Sequence, residues 1–317
     1  MDFGLTEEQR MLVETVRAFV DAELVPYENE VERTDEVRPE LIRQIHERAQ
    51  QTGLYDANMP EDLGGGGLDH LAFTLMEREL GRTSFALQYA VHRPSNILRA
   101  CNEEQRDRYL LPTIRGERIE CLGITEPDAG SDVKSMQTRD VQDGDDFLIT
   151  GTKHFITYAD VAAYIILFAA SGTEETPRGS KKLITSFLED KDTPGLTVTK
   201  GSRSVSHRGF HHCELSFDKA RVHKRQVLGE VHKGFDFWVE GNETSDEDAG
   251  ILDAANDTVD PTERLGSVDA AYWTTIGGRT FLRWVMPEDE TALLNALARL
   301  HVRGESLLSE GNRLIGM

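Results

Sequence analysis

Apolar residues recur at helical spacing through the first third of the chain. Thr6-Glu7-Glu8-Gln9 has the form of a capping box, and Leu12, Val16, Phe19 and Val20 then share one face. Pro26 is expected to stop that helix. Pro39 opens a second, with Leu41, Ile45 and Ala49 on its stripe and Gly53 at its end. Leu71, Leu75 and Met76 mark a third, ending near Gly81, and residues 103–111 form another, stopped by Pro112. The spacing predicts an N-terminal helical domain over residues 1–120.

The pattern then changes to short runs rich in β-branched and aromatic residues: 119–125, 147–150, 163–169, 183–188, 196–199 and 212–217. Turn signals separate them, among them Asp143-Gly144-Asp145, Arg178-Gly179-Ser180 and Thr193-Pro194-Gly195. No strand–helix alternation suggests a Rossmann sheet. The fold class read from this order is α+β, a helical bundle followed over residues 121–237 by a small antiparallel β-barrel or sandwich. Residues 238–317 form an atypical short C-terminal segment. Its first part, 239–263, carries nine acids and no basic residue, which reads as a solvated linker. An apolar segment over 270–286 and one helix-like stretch over 288–308 follow.

Charge and composition narrow the field. Lys and Arg number 35 against 56 Asp and Glu, a net charge of −21, and that field repels nucleic-acid backbones. No run approaches the ~20 apolar residues that span a bilayer. MDFGLTEEQR has neither a basic leader nor an apolar signal core, which points to the cytoplasm. Cys101, Cys121 and Cys213 form neither a disulfide framework nor a metal clip and read as buried thiols.

Several motifs favour simple readings. The glycines 64–67 lack the Gly-Lys-Ser/Thr of a phosphate loop and read as a connection. His207, His211, His212 and Cys213 carry metal-ligand chemistry, but strand alternation separates them and no carboxylate completes a tetrahedral set, so no metal is expected. A serine-hydrolase elbow is missing. The richest stretch is 122–132, LGITEPDAGSD, followed by Phe155-Ile156-Thr157. Pro127 and Asp128 turn the chain, while Gly130 and Ser131 expose amides and a hydroxyl suited to an anionic or heteroaromatic ligand.

The LTEEQ opening, MPEDLGG, EEQRDRYLLPTIRGE, LGITEPDAGSD, GTKHFIT, RGFHHCELSFDKARV and QVLGEVHKGFDF together resemble the acyl-CoA dehydrogenase family over residues 3–237. FITYADVA and SVSHRGFHH look most similar to its carnitine-type and short acyl-CoA branch. The resemblance implies FAD as cofactor and an acyl-CoA thioester as substrate. Leu122, Ile124, Thr125, Gly130, Ser131, Phe155, Ile156 and Thr157 would be the flavin contacts. Ser131 would also reach CoA, and Phe155 stands where the family has a tryptophan. The implied reaction is α,β-dehydrogenation, with a carboxylate removing the α-proton. After residue 237 the family's long helices are not recognisable, and with them its CoA-facing arginine and catalytic glutamate. Glu310, in Ser309-Glu310-Gly311-Asn312, only faintly resembles the context of that base, so the catalytic residue is left unassigned. The expectation is a dehydrogenase impaired at its C-terminal third. A non-catalytic flavin- or CoA-binding remnant and a flavin monooxygenase of the same fold are the alternatives. Homo-oligomers are common in the family, but the missing helices make much of that interface.

Overall fold

Thr6 starts the first helix as the sequence predicts. Its hydroxyl accepts from the Gln9 amide at 3.2 Å, and the Gln9 side chain returns a bond to the Thr6 amide at 3.0 Å. The helix, α1 (Glu7–Phe19), buries Val13, Val16 and Phe19. Pro26 does not end the helical path. A π turn over Val20–Leu24 and a 3-10 turn over Val25–Tyr27 carry it into α2 (Glu28–Thr34). The widened turn shifts the backbone bonding, with the Val25 amide reaching Val20 O, so Pro26 enters where the regular ladder is already broken. α3 (Pro39–Gln51) follows the expected stripe and ends at Gly53, whose φ is +68°.

α4 (His70–Leu80) is capped by Asp69 and buries Leu75, Met76 and Leu80, whereas Leu71 in its first turn is exposed. α5 (Phe85–Val91) was not legible as a helix. After α6 (Glu103–Gln105), a π turn over Arg106–Leu110 leads into α7 (Leu111–Ile114), which includes Pro112. This proline again does not stop the path. The Arg108 carbonyl, four residues before it, accepts instead from Arg118 Nη1 at 3.0 Å.

The structure, a computed structural model, describes residues 5–234 apart from 177–178, 202 and 205–206, together with the backbone of 271–276 and 279–284. The chain divides into two compact units, Met1–Asn242 and Glu243–Met317.

In the first unit the strands are β1 (Glu120–Gly123), β2 (Arg139–Asp143), β3 (Asp146–Thr157), β4 (Tyr164–Thr176), β5 (Gly179–Asp190), β6 (Leu196–Lys200), β7 (His212–His223) and β8 (Val227–Leu228). They form one curled half-barrel sheet in the order β6-β7-β3-β2-β4-β5-β8, with β1 also on β4. The sheet is mixed, which corrects the antiparallel expectation: β1 runs parallel to β4, and β2 meets β4 in parallel at Arg139↔Ala170. Connectivity is the reason. β1 and β2 succeed one another along the same edge of β4, so a long loop rather than a hairpin joins them.

β4 is buried on both faces. Tyr164, Ile166 and Phe168 pack with Ile114, Tyr109 and Met59 from the helical part, while Ile165 and Leu167 pack with Phe187, Leu215 and Phe217 inside the half-barrel. Burial on two sides explains its unbroken apolar run. The helical core also takes in Tyr158 and Phe210, which follow β3 and precede β7. In the second unit, β9 (Ala271–Ile276) and β10 (Arg279–Trp284) pair as an antiparallel hairpin, where the sequence showed only an apolar segment. The helix-like stretch over 288–308 and Glu310 lie outside the described residues.

Candidate functional site

Leu122 is the one outward residue of β1, 40% exposed, while Glu120, Cys121 and Gly123 are buried. Beyond it Ile124 turns into the core, and the chain folds tightly over Pro127-Asp128 by reciprocal backbone bonds between Glu126 and Ala129 at 2.9 and 3.2 Å. The Glu126 carboxylate faces inward. It accepts from the Gln137 amide, from the Thr138 amide at 3.0 Å and from Lys153 Nζ at 2.8 Å. Lys153, on β3, has no exposed surface and donates a second bond to Ile124 O at 2.9 Å. Burial lowers the Lys153 ammonium to about 8, with Glu126 pulling the other way. For Glu126, burial favours the neutral acid, but Lys153 and the two amides outweigh it, and the carboxyl lies below its ordinary value. One residue on, the His154 amide donates to Thr125 O at 2.8 Å. The two predicted segments, 122–132 and 155–157, are thus fastened together by a buried ion pair and its backbone bonds.

At this junction β3 bulges. Its pairing with β7 passes from Lys153↔Leu215 to Ile156↔Cys213, so His154 and Phe155 stand opposite Glu214 alone. Phe155 has φ +58° and is 59% exposed. A bulky side chain in the left-handed region is costly, and such strain concentrates at ligand sites. His154 stacks on its ring at 3.9 Å between centroids, and His212 meets it edge-on at 5.9 Å. Thr157 Oγ1 lies 3.4 Å from His212 Nδ1. Burial holds the His212 imidazole below its usual range. Beyond it Tyr158 stacks on Tyr89 at 4.7 Å and donates to Ala86 O, fixing the bulge to α5.

The predicted residues therefore fall into three groups. Leu122, Phe155, Gly130 and Ser131 are exposed, and Thr125 and Thr157 are half-buried. Ile124 and Ile156 bury their side chains in different clusters and offer only backbone to a ligand. The Thr125 carbonyl meets the His154 amide next to Phe155, whereas no hydrogen bond among the described residues joins Ser131 to the bulge. The Thr125 and Ser131 hydroxyls make no hydrogen bond among the described residues. An exposed aromatic on a strained bulge, an exposed leucine and unengaged hydroxyls fit a flat heteroaromatic ring with polar edges, which is flavin chemistry.

The histidines called out in the sequence do not converge. His211 contacts Asp35 O at 3.1 Å and Asp160 at 3.6 Å, His212 turns to Phe155 and Phe210, and Cys213 is buried. Among the described residues no three potential metal ligands cluster. Sequence reasoning missed the Glu126–Lys153 lock, although Lys153 continues the inward alternation of Ile149 in β3. It also missed His92–Glu120, a buried pair at 3.2 Å. There Glu120 accepts from the Ser95 amide at 2.6 Å, tying the α5 exit to the start of β1.

A helical part followed by an open half-barrel is the class of the acyl-CoA dehydrogenase fold. The solved acyl-CoA dehydrogenase from Geobacillus kaustophilus matches with a TM-score of 0.66 at 27% identity, covering 76% of this chain and 63% of that one. A glutaryl-CoA dehydrogenase from Mycobacterium smegmatis, solved in complex with FADH2, matches with a TM-score of 0.63 at 26% identity, covering 75% and 59%. Residues 6–117 match the model of the acyl-CoA dehydrogenase N-terminal domain and 121–220 that of its middle domain. Through these two domains the chain belongs to the acyl-CoA dehydrogenase family. Among curated relatives, a probable acyl-CoA dehydrogenase, YngJ, of Bacillus subtilis is 33% identical over 240 residues, 74% of this chain and 61% of that protein. The mitochondrial isovaleryl-CoA dehydrogenase of Pongo abelii is 33% identical over 73% of this chain and 55% of its own length. The chain thus spans about six-tenths of the curated relatives it matches. Residues 202–317 match a different model, a family of unknown function designated DUF5926. Among the described residues no helix is long and apolar enough to cross a membrane.

Proposed function

We propose that the first unit binds FAD at the loop and bulge, and that the protein descends from enzymes that dehydrogenate acyl-CoA thioesters. The observation that carries this reading is the strained, exposed Phe155 beside a loop locked by Glu126 and Lys153. Phe155 would give the flavin ring an aromatic face. Thr125, Thr157 and the backbone of Ile124 and Ile156 would meet its polar edge, and Gly130 and Ser131 would meet its phosphates and those of CoA. When bound, the flavin would supply the two-electron acceptor. The residues of this chain hold and orient it: Lys153 and Glu126 fix the loop, and Tyr158 anchors the bulge to α5.

The reaction also needs a base for the α-proton, and Glu310 lies outside the described residues. Residues 202–317 match DUF5926, a family of unknown function, rather than an acyl-CoA dehydrogenase C-terminal model, and this supports a second reading, a flavin- or CoA-binding protein with weak or absent dehydrogenase activity. The visible spectrum of the purified protein with added FAD tests the flavin site, and a protein that stays colourless refutes it. Anaerobic addition of short- and medium-chain acyl-CoA separates the two readings. Bleaching with sustained turnover establishes the enzyme, and an unchanged flavin spectrum establishes the binding protein. Oxygen uptake with reduced flavin that puts oxygen into an added substrate rather than into hydrogen peroxide would instead indicate a monooxygenase.

A further inference from the structure

The turn after α3 and the start of α7 border an open pocket of about 430 Å³, lined by Gln50, Asp56, Leu63, Gly64, Leu111, Ile114 and Arg115. Leu63, Leu111 and Ile114 make its apolar wall. The glycine run shapes its mouth. A side chain at Gly65 would strike Met59 O at 2.3 Å, so this glycine lets the turn lie flat against the preceding segment. Gly64, at φ +90°, has open space where a Cβ would stand, and that conformation keeps the mouth free of a side chain.

Three polar side chains line the pocket, Asp56, Gln50 and Arg115, and the first two offer acceptors. Gln50 spends its amide N–H on Arg115 O at 2.6 Å, leaving its Oε1 to accept. The Arg115 guanidinium is held by both oxygens of Glu117, at 2.7 and 3.0 Å. The Asp56 carboxylate has no side-chain partner among the described residues, although partial burial favours its neutral form and holds its pKa above the ordinary value. Glu61 and Asp62 on the same turn add negative potential, within a chain of net charge −21.

We propose that this pocket is a second ligand site, one that takes a primary ammonium carried on a short alkyl chain. The ammonium donates to Asp56 and to Gln50 Oε1, and the chain lies on Leu63, Leu111 and Ile114. No metal enters the reading, because one carboxylate and one amide oxygen are too few ligands for a cation site. None of its lining residues belongs to the flavin loop or the bulge, and binding is read directly, so its test does not depend on cofactor or turnover.

The probe is n-butylammonium, titrated into the full-length protein and followed by ligand-observed NMR, with n-butanol as the uncharged control. Saturable binding is expected, weakened about tenfold by Asp56→Asn and by exchange of the ammonium for the hydroxyl, the size of one charge-assisted hydrogen bond. Binding weakens as the pH falls through the carboxylate range. Leu63→Trp, which fills the pocket and leaves Asp56 in place, is expected to abolish binding, and urea midpoints show that each variant is folded. Absence of saturable binding, equal affinity for butanol, or wild-type affinity in both variants overturns the proposal.

Discussion

Replacing Lys153 by Met is the sharpest test of how the site is built. The ammonium has no exposed surface and makes two bonds, to Glu126 at 2.8 Å and to Ile124 O at 2.9 Å. Methionine fills similar volume but strands a buried carboxylate. Removing one partner of a buried pair costs roughly 3–5 kcal/mol, and leaving a buried carbonyl unpaired roughly 1–3 kcal/mol. Glu126 keeps the Gln137 and Thr138 amides, so the expected loss is about 3 kcal/mol, at the low end of the pair range. Urea unfolding followed by far-UV circular dichroism measures it. The pH dependence has a definite sign. Glu126 is depressed in the folded state, so its contribution is present above its unfolded pKa and lost as pH falls through the folded one. Lys153 titrates near 8 when folded against 10.5 unfolded, so between those values the unfolded chain holds the extra proton and wild-type stability rises with pH. The margin of wild type over Lys153→Met therefore narrows in acid and widens above about pH 8. A loss under about 1 kcal/mol, or a margin flat in pH, refutes the lock. Adding Glu126→Gln to Lys153→Met is expected to recover part of the loss, because the stranded charge is removed.

Other positions give independent tests. Glu189 on β5 is fully buried with neither carboxylate oxygen paired, and burial, then Asp190, pushes it up to about 8. The folded state therefore holds a proton that the unfolded state releases above 4.5, and wild-type stability falls as pH rises from there to about 8. Glu189→Met removes that slope, so its advantage over wild type grows by about 3 kcal/mol between pH 5 and pH 8 in urea titrations; a constant difference would contradict the unpaired acid. Phe155→Gly relieves a positive φ at an exposed residue, so stability should hold within about 0.5 kcal/mol while FAD affinity drops about tenfold by fluorescence titration. An unfolded variant, or unaltered affinity, counts against the flavin platform. Gly65→Ala sets a Cβ 2.3 Å from Met59 O and is expected to cost about 1–3 kcal/mol, read from the urea midpoint.

What could be read from the sequence was what is encoded locally. The capping box at Thr6, Pro39 at the first turn of α3, and the turns at Gly144 and Gly195 announce themselves within a few residues. Pro26 and Pro112 misled because a π turn before each had already broken the ladder, and a distant group, Arg118, satisfies the carbonyl that Pro112 leaves open. The apolar run of β4 identified a strand, but not that one of its edges receives both β1 and β2 in parallel, because pairing order is set by the return path of the chain.

The candidate site divides in the same way. Pro127, Asp128 and Gly130 mark the loop through turn chemistry, whereas its lock joins residues 27 apart in sequence. Neither Glu126 nor Lys153 bears any local sign of its partner. Phe155 is the instructive intermediate. Its aromatic type was visible in the sequence, but its exposure arises from a bulge opposite Glu214, and that bulge depends on how β3 registers against β7. A side chain held out against both solvent and backbone preference contributes little to the fold. The surrounding structure fixes it there through the Thr125–His154 bond on one side and the Tyr158–Tyr89 stack on the other. Both anchors are internal to the first unit, so the exposure of Phe155 is set by the N-terminal and middle domains themselves.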